Sequence, residues 1–266
     1  MASANDASTV LLLHFADLDD SSTGGAHGTL TASGNAAVNT TVTDPFGGTA
    51  GVLQCDGDGD FIYDGDNAAY DLGADPLTID FRVKVTELAE SIKYHYILRK
   101  TDATTTHWAV YLVDNGNETF QLRFVAYTGS HIGLSRSDTF VLAADTWYHF
   151  AIIRNWGSSA NVWAYVKDGV VISTEEKSFT VPTSDGNMNI GGHTGAMSLK
   201  GELDEVRIVK GVARWTANFE IPSGPYPDSA DEWMGTVNGV HNPAEVNGET
   251  AADLFDGGVN GVATYQ

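Results

Sequence analysis

Apolar and polar residues alternate over long stretches of this chain, which is the pattern of β-strands that bury one face. The clearest example is the segment 76–85, PLTIDFRVKV, in which every second residue from Leu77 to Val85 is apolar. We expect this segment to form a strand with its apolar residues in a core. Its other face is expected to meet water through Thr78, Asp80, Arg82 and Lys84.

Further strands are predicted on both sides of this segment. The dense apolar run from Val10 to Phe15 favours a buried first strand. Two hairpins are indicated by Asn115-Gly116 and Asp168-Gly169, because both dipeptides suit tight turns between antiparallel strands. No stretch shows a sustained helical period, so the pattern predicts an all-β protein with about a dozen strands.

The segment from Leu199 to Pro227 predicts the last strand of the sandwich and a fold-back after it. Alternation places Asp204, Val206 and Ile208 on one face and Leu203, Glu205, Arg207 and Val209 on the other. Because both faces carry apolar residues, we expect a central strand. After Gly211 allows a turn, Val212, Trp215 and Phe219 are expected to fold back as an apolar lid.

Three stretches resemble one known family. They are GVLQCDGDGDFIYDGD, the pair WYHFAIIRN and NVWAYVKDGVVI, and the closing segment LKGELDEVRIVKGVARWTANFEIPSGPYP. Together they are similar to laminin-G-like, concanavalin A-like lectin/glucanase jelly-roll domains, especially those of phage structural and tail proteins. The resemblance implies a two-sheet antiparallel jelly-roll sandwich over residues 1–227, in which the first strand pairs near the last. An irregular acidic extension, residues 228–266, is expected to follow it.

Charge and cysteine content narrow the classes of partner. The chain has 35 acidic and 14 basic residues and a net charge of −21, which disfavours nucleic acid and anionic membranes as partners. Its one cysteine, Cys55, cannot form an internal disulfide. The start MASANDAST lacks the basic region of a signal peptide. We therefore expect a protein made in the host cytoplasm and released by lysis, as a virion is.

The extension 228–266 has no lysine or arginine and few large apolar residues. Such a segment cannot form a core of its own, so it is expected to be disordered or to dock on a neighbouring subunit. Docking would use two apolar pairs as partner-binding anchors, namely Trp233-Met234 and Leu254-Phe255.

Clustered carboxylates raise the question of a bound ion. The resemblance implies a structural calcium where the first and last strands meet, with Asp17, Asp19 and Asp204 as its ligands. Calcium prefers several oxygen ligands of this kind. The alternative for Asp204 is a carboxylate that accepts backbone N–H groups at the start of a strand.

The closing strand also resembles the catalytic strand of jelly-roll glycoside hydrolases, which carries acids at three alternate positions. Glu202 and Asp204 match the first two positions, but Val206 occupies the third, and Glu205 is predicted on the other face. We therefore predict no catalytic residues.

Aromatic residues are the remaining candidates for a binding site. Sugars pack on aromatic faces beside amide and carboxylate groups, and the predicted strands carry several aromatic residues. The glycan-binding candidates are Tyr94, Tyr96, Trp108 and Tyr111.

These observations predict a non-enzymatic phage virion protein, either a capsid decoration or a tail component. Its expected partners are other virion subunits, including copies of itself, and host or environmental glycans. Two alternatives stay open, namely a glycan-degrading enzyme on the same fold and a cell-surface adhesion module.

Overall fold

A computed structural model describes residues 5–25, 28–89, 93–102, 106–116, 118–127, 131–193 and 197–228, and the pairs 236–237, 240–241, 245–246 and 249–250. The strands are β1 Thr9–Leu13, β2 Thr31–Ser33, β3 Ala37–Asn39, β4 Val52–Asp56, β5 Phe61–Asp64, β6 Leu77–Val85, β7 Lys93–Thr101, β8 Thr106–Asp114, β9 Thr119–Tyr127, β10 His131–Arg136, β11 Phe140–Val141, β12 Trp147–Arg154, β13 Val162–Lys167, β14 Val170–Glu176, β15 Asn187–Ile190, β16 Lys200–Lys210, β17 Thr236–Val237, β18 Val240–His241, β19 Glu245–Val246 and β20 Glu249–Thr250. Short 3₁₀ helices span Ala68–Tyr70 and Trp156–Ser158.

Two antiparallel sheets form the sandwich. The first sheet has the order β14-β13-β12-β6-β16-β4-β3, and β1 also pairs with β16. The second sheet has the order β10-β9-β8-β7-β15-β5-β2, and β11 also pairs with β9. This arrangement confirms the predicted jelly-roll sandwich, including the pairing of the first strand with the closing strand.

One core lies between the sheets. The first sheet contributes the apolar face of β6, as the alternation predicted, together with Phe150 and Ile152 of β12. The second sheet contributes Trp108 and Phe124, whose rings lie 6.0 Å apart. Because every second residue of a strand points inward, the remaining residues form an outer face on each sheet.

The predicted hairpin at Asp168-Gly169 joins β13 to β14. Both residues have positive φ, 49° and 77°, which is the conformation of a type I′ turn. The turn also contacts the closing part of the chain, because the Phe219 N–H donates to the Gly169 carbonyl at 2.9 Å. Asp168-Gly169 therefore closes a hairpin and holds the segment that follows β16.

The alternation predicted for β16 is interrupted by a bulge. The pairing with β6 shifts between Asp204 and Arg207, and Glu205 has a φ of 50°. As a result Leu203, Val206 and Ile208 all lie in the core. The prediction that Asp204 shares a face with Val206 and Ile208 is therefore wrong, because one extra residue reverses the phase of a strand.

Residues 211–228, named here the covering segment, fold back over the outer face of the first sheet. Trp215 and Phe219 stack with ring centroids 3.9 Å apart and pack against a second apolar cluster on β12 and β13. This confirms the predicted lid. The same segment buries Asp80 and Arg82, so the expectation that this face of β6 meets water is wrong.

The extension beyond residue 228 contributes two short strand pairs, β17 with β18 and β19 with β20. The predicted anchors Trp233, Met234, Leu254 and Phe255 lie outside the described residues. Across the described residues, no helix has the length and apolar character needed to cross a membrane.

Candidate functional site

The outer face of the second sheet carries a group of four tyrosines. The tyrosine patch, defined as Tyr94, Tyr96, Tyr111 and Tyr127, lies on β7, β8 and β9. The Tyr96 and Tyr111 rings stack at 4.9 Å, and the Tyr94 and Tyr111 rings meet edge to face at 5.8 Å. Tyr94 is 38% exposed, whereas Tyr111 is buried beneath its neighbours. Three of the predicted glycan-binding residues are thus brought together here.

Trp108, the fourth predicted residue, lies elsewhere. Its side chain is fully buried between the sheets, and its Nε1 donates to the Tyr70 carbonyl at 3.0 Å. Trp108 and Tyr111 are three positions apart on one strand, so they point to opposite faces. The assignment of Trp108 to a binding surface is wrong, and the alternation of β8 already carried that information.

Arginines border the tyrosine patch. The Arg99 guanidinium lies 5.7 Å from the centre of the Tyr96 ring, and its Nε donates to Thr106 at 2.8 Å. Arg123 donates to Gln121 at 2.7 Å. Two buried nitrogens, Nη1 of Arg99 and Nε of Arg123, have no hydrogen-bond partner. The patch therefore has positive charge and unsatisfied donors at its border.

The phenols of Tyr96, Tyr111 and Tyr127 stay protonated at neutral pH. Burial raises the pKa of Tyr111 to about 12, and neighbouring tyrosines add to that effect. Burial likewise raises the pKa of Tyr96 and of Tyr127. Each phenol therefore offers an O–H donor and an apolar ring face, the combination that suits a sugar surface.

A cleft of about 580 Å³ opens beside the patch. It is lined by Phe61, Tyr63, Thr101, Asp102, Asp185, Asn187, Asn189 and His193. Asn189 of β15 lies opposite Arg99 on one side and opposite Tyr63 on the other. Because residues directly opposite in adjacent strands share a face, the cleft and the tyrosine patch form one continuous surface.

The cleft contains the types of group that bind sugar hydroxyls. Amides and carboxylates accept and donate hydrogen bonds, and Phe61 and Tyr63 supply ring faces. Sequence reasoning missed the cleft and also missed Arg99, Arg123 and Tyr127. The alternation of β9 places Arg123 and Tyr127 on the outer face, but Arg99 reaches that face only because a register shift between Tyr96 and Leu98 interrupts the alternation of β7. Only the strand order brings β15 and β5 beside them.

The predicted calcium ligands are not gathered at one point. Across the part of the chain described here, no group of three or more histidine, cysteine, aspartate or glutamate side chains is arranged to hold a metal ion. Asp17 accepts the Asp19 N–H at 2.9 Å within an exposed turn. Asp204 is buried and accepts the Glu205 N–H at 2.8 Å, which is the alternative that the sequence left open.

Glu202 and Asp204, two of the three acids of the closing strand, lie on the outer face of the first sheet. Glu202 forms an ion pair with Lys84 at 3.3 Å, and burial raises its pKa. Burial, with Glu205 adding to it, raises the pKa of Asp204 to about 8. Both acids therefore belong to a sheet other than the one that carries the cleft.

Residues 56–216 match the family model of the concanavalin A-like lectin/glucanases superfamily, in its laminin-G-like branch. A comparison with curated protein sequences finds no match.

Solved structures with a similar fold include carbohydrate-active and toxin domains. Domain 4 of AbnA, a GH43 extracellular arabinanase from Geobacillus stearothermophilus in complex with arabinotriose, is 17% identical with a TM-score of 0.55, covering 77% of this chain and 93% of that domain. The binding domain of Paraclostridial Mosquitocidal Protein 1 is 12% identical with a TM-score of 0.58, covering 79% and 51%. The binding domain of botulinum neurotoxin DC in complex with SialylT is 14% identical with a TM-score of 0.52, covering 79% and 50%. The chain spans about half of the two toxin binding domains. At these identities the likeness concerns the fold.

Proposed function

Because the chain belongs to the concanavalin A-like lectin/glucanase superfamily, we propose that it is a non-enzymatic glycan-binding protein on the surface of a phage virion. The observation that supports glycan binding most directly is the continuous outer face of the second sheet. There the tyrosine patch adjoins a cleft lined by aromatic, amide and carboxylate groups.

The chemistry of this face fits an oligosaccharide better than it fits a compact apolar ligand. The Tyr63 ring offers apolar contact in the cleft, where Asn187 and Asn189 offer paired donor and acceptor groups. Tyr94 adds an exposed ring on the adjoining patch. The fold neighbours are consistent with this proposal, since the AbnA domain is in complex with arabinotriose.

Binding without catalysis is supported by the placement of the acids. Glu202 is engaged by Lys84, and Asp204 is buried on the sheet opposite the cleft. The cleft itself is lined by two carboxylates, Asp102 and Asp185, and Asp102 is engaged by His107 at 3.2 Å. A reducing-sugar assay on a polysaccharide panel is expected to give no turnover, and turnover that disappears in Asp102→Asn or Asp185→Asn would make the protein an enzyme.

The virion location is supported by the resemblance to domains of phage structural and tail proteins. The strongly acidic composition and the single buried cysteine agree with a fold that needs no disulfide. Mass spectrometry of purified virions is expected to detect the protein at a fixed ratio to the major capsid or tail proteins. Its absence from washed particles would favour an adhesion module on a cell surface.

Glycan binding is tested on a glycan array with the full chain and three variants. Tyr94→Ala and Asn187→Ala remove exposed groups of the face and are expected to weaken binding by about tenfold each without lowering the melting temperature. Val170→Ala is the matched control, because Val170 is exposed on the first sheet. Equal loss in all three variants, or binding that none of them changes, would remove this face as the site.

A further inference from the structure

Three of the seven arginines lie together on the outer face of the second sheet. Arg99 is on β7, and Arg123 on β9 lies directly opposite Arg136 on β10. Strand spacing of about 4.8 Å and a rise of about 3.4 Å per residue place the Cα atoms of Arg99 and Arg123 roughly 12 Å apart. Side chains of this length can therefore reach one ligand from two sides.

The other four arginines are each held by a partner from this chain. Arg207 and Arg214 form ion pairs with Asp80 and Asp6, whereas Arg82 and Arg154 donate to backbone carbonyls of Pro222 and Gly73. Arg99 and Arg123 also have partners, since they donate to the side chains of Thr106 and Gln121, but within the residues that the structure describes neither they nor Arg136 form an ion pair with a carboxylate. This is unexpected in a chain with 35 acidic residues and only 14 basic ones.

The arrangement is unfavourable for the unliganded protein. Two like charges directly opposite each other on neighbouring strands destabilise a sheet, and Arg123 and Arg136 are such a pair. Nη1 of Arg99 and Nε of Arg123 are also buried without a hydrogen-bond partner, so their desolvation is uncompensated. An anion bound beside these side chains would relieve the repulsion between the arginines.

We propose that this face recognises an acidic glycan, whose carboxylate is held by Arg99, Arg123 and Arg136. The proposal rests on the glycan-binding function proposed above and assigns the class of sugar. A guanidinium offers parallel N–H groups that match a carboxylate, so it selects a uronic or sialic acid over a neutral sugar.

The cleft and the arginines then bind different sugar units of one glycan. Asn189 lies opposite Arg99, so a sugar in the cleft has its neighbouring unit at the arginines. The far side of the cleft carries Asp102 and Asp185, which accept hydrogen bonds from neutral hydroxyls and repel a second carboxylate. The face therefore favours glycans whose charged unit occupies one defined position.

The net charge of −21 opposes the approach of any anion, but it acts mainly at long range. The Debye length is about 8 Å at physiological salt, so the local arginines dominate at contact. Binding to the acidic glycan is accordingly expected to weaken when salt is raised well above that level, whereas binding to neutral sugars is not.

The test is an array of paired glycans, in which neutral oligosaccharides are printed beside their uronate, sialylated and sulfated counterparts. Carboxylated members are expected to bind at least tenfold more tightly than their neutral partners, and methyl esterification of a carboxylate should abolish that preference. Ligands that are only neutral, or only sulfated, would overturn the acidic-sugar proposal and leave glycan binding intact. An array without any ligand would overturn both proposals.

Charge variants test which residues produce the preference for the acidic glycan. Arg99→Gln and Arg123→Gln are expected to lose the preference for the acidic glycan, measured in each variant as the ratio of its affinity for the acidic glycan to its affinity for the neutral partner. Lys200→Gln is the matched control, since it removes the same charge at an exposed position on β16 of the first sheet. Arg99→Lys keeps the charge without the planar fork and should retain only part of the preference. An unchanged preference in both glutamine variants, with native circular dichroism, would overturn the proposal.

Discussion

Arg207 and Asp80 face each other across β16 and β6 as a fully buried ion pair. The Arg207 Nε donates to Oδ1 at 2.9 Å and the Nη2 donates to Oδ2 at 3.3 Å. The Tyr226 hydroxyl donates to the same carboxylate, and its ring lies 3.8 Å from the guanidinium carbon. Burial alone would raise the pKa of Asp80, but Arg207 and His149 hold it below its usual value. The pair therefore joins the covering segment to the first sheet.

Breaking this pair from one side should be costly. Arg207→Met leaves the Asp80 carboxylate buried without its cation, so the free energy of unfolding is expected to fall by about 3–5 kcal/mol. Urea denaturation measures this change. The double variant Asp80→Leu/Arg207→Met removes both charges and should recover part of the loss. A single-variant cost below about 1 kcal/mol would mean that the pair is not isolated from water.

The bulge that precedes this pair could not be predicted from the sequence, whereas local features of the fold could. The inward face of β6 and both hairpin turns followed from residue patterns, because period-two alternation and turn chemistry are local. The bulge at Glu205 did not, since its positive φ is held by contacts of the glutamate with His14 at 2.5 Å and with the Tyr226 N–H at 2.6 Å. His14 lies 191 residues before Glu205 in the sequence, and Tyr226 lies 21 residues after it, beyond the end of the strand.

The candidate site divides in the same way. Tyr94 and Tyr96 are two positions apart, so the sequence places them together, and the same arithmetic separates Trp108 from Tyr111. The cleft depends on β15 lying between β7 and β5, which no local pattern specifies. Likewise, the alternation of β6 predicted a solvent-facing outer face, but residues 211–228 cover that face in the structure.

Stability should fall as the pH rises from about 6.5 to 8. Burial and Glu205 raise the pKa of Asp204 to about 8 in the folded protein. Burial opposes protonation of His14, but its bond to Glu205 raises its pKa overall. In this window the folded state holds protons that the unfolded chain has lost, so rising pH favours unfolding.

The slope is at most about 1.4 kcal/mol per pH unit for each proton. Asp204→Asn is expected to reduce it in urea titrations at four pH values between 6.5 and 8, and His14→Gln to reduce it further. Stability that is constant or increases across this window in the unmodified protein would contradict the assigned protonation of Asp204.

His95 should have the opposite effect on the acid side. Burial, with a contribution from Lys93, lowers the pKa of His95 to about 4, and both ring nitrogens lack hydrogen-bond partners. Between about pH 6.5 and 4 the unfolded chain binds a proton at this histidine that the folded state does not bind. The free energy of unfolding therefore falls as the pH falls. His95→Leu should therefore stabilise the protein more at pH 5 than at pH 7.

Thermal melts at the two pH values measure this difference. The lowered pKa of His149 acts in the same direction, so the slope should shrink without vanishing. His107→Gln is the matched control, because His107 contacts Asp102 at 3.2 Å at the rim of the second sheet. Equal effects of His95→Leu at both pH values would show that His95 is not neutral in the folded state.

The domain boundary depends on where the chain stops contributing to the core. Tyr226 is buried, and Asp228 still contacts the domain, since its carbonyl accepts from Asn5 at 2.9 Å and its carboxylate lies 3.1 Å from His14. Truncation after Asp228 is therefore expected to leave the melting temperature within about 2 °C of the full chain. Truncation after Lys210 also removes Trp215 and Tyr226, and full burial of one large apolar side chain is worth about 1.5 to 3 kcal/mol. That shorter chain should unfold or melt far lower.

The two truncations also separate folding from assembly. We propose that residues 229–266 dock on a neighbouring subunit through Trp233, Met234, Leu254 and Phe255. The chain ending at Asp228 should then stay folded but lose oligomer formation in light scattering or incorporation into virions. Replacing the four anchors with serine in the full chain should reproduce that loss, because it removes the apolar contacts and keeps the length and charge of the extension. A folded truncation that assembles normally would instead limit the interaction surface to residues 1–228, and a truncation that unfolds would place the extension in the core.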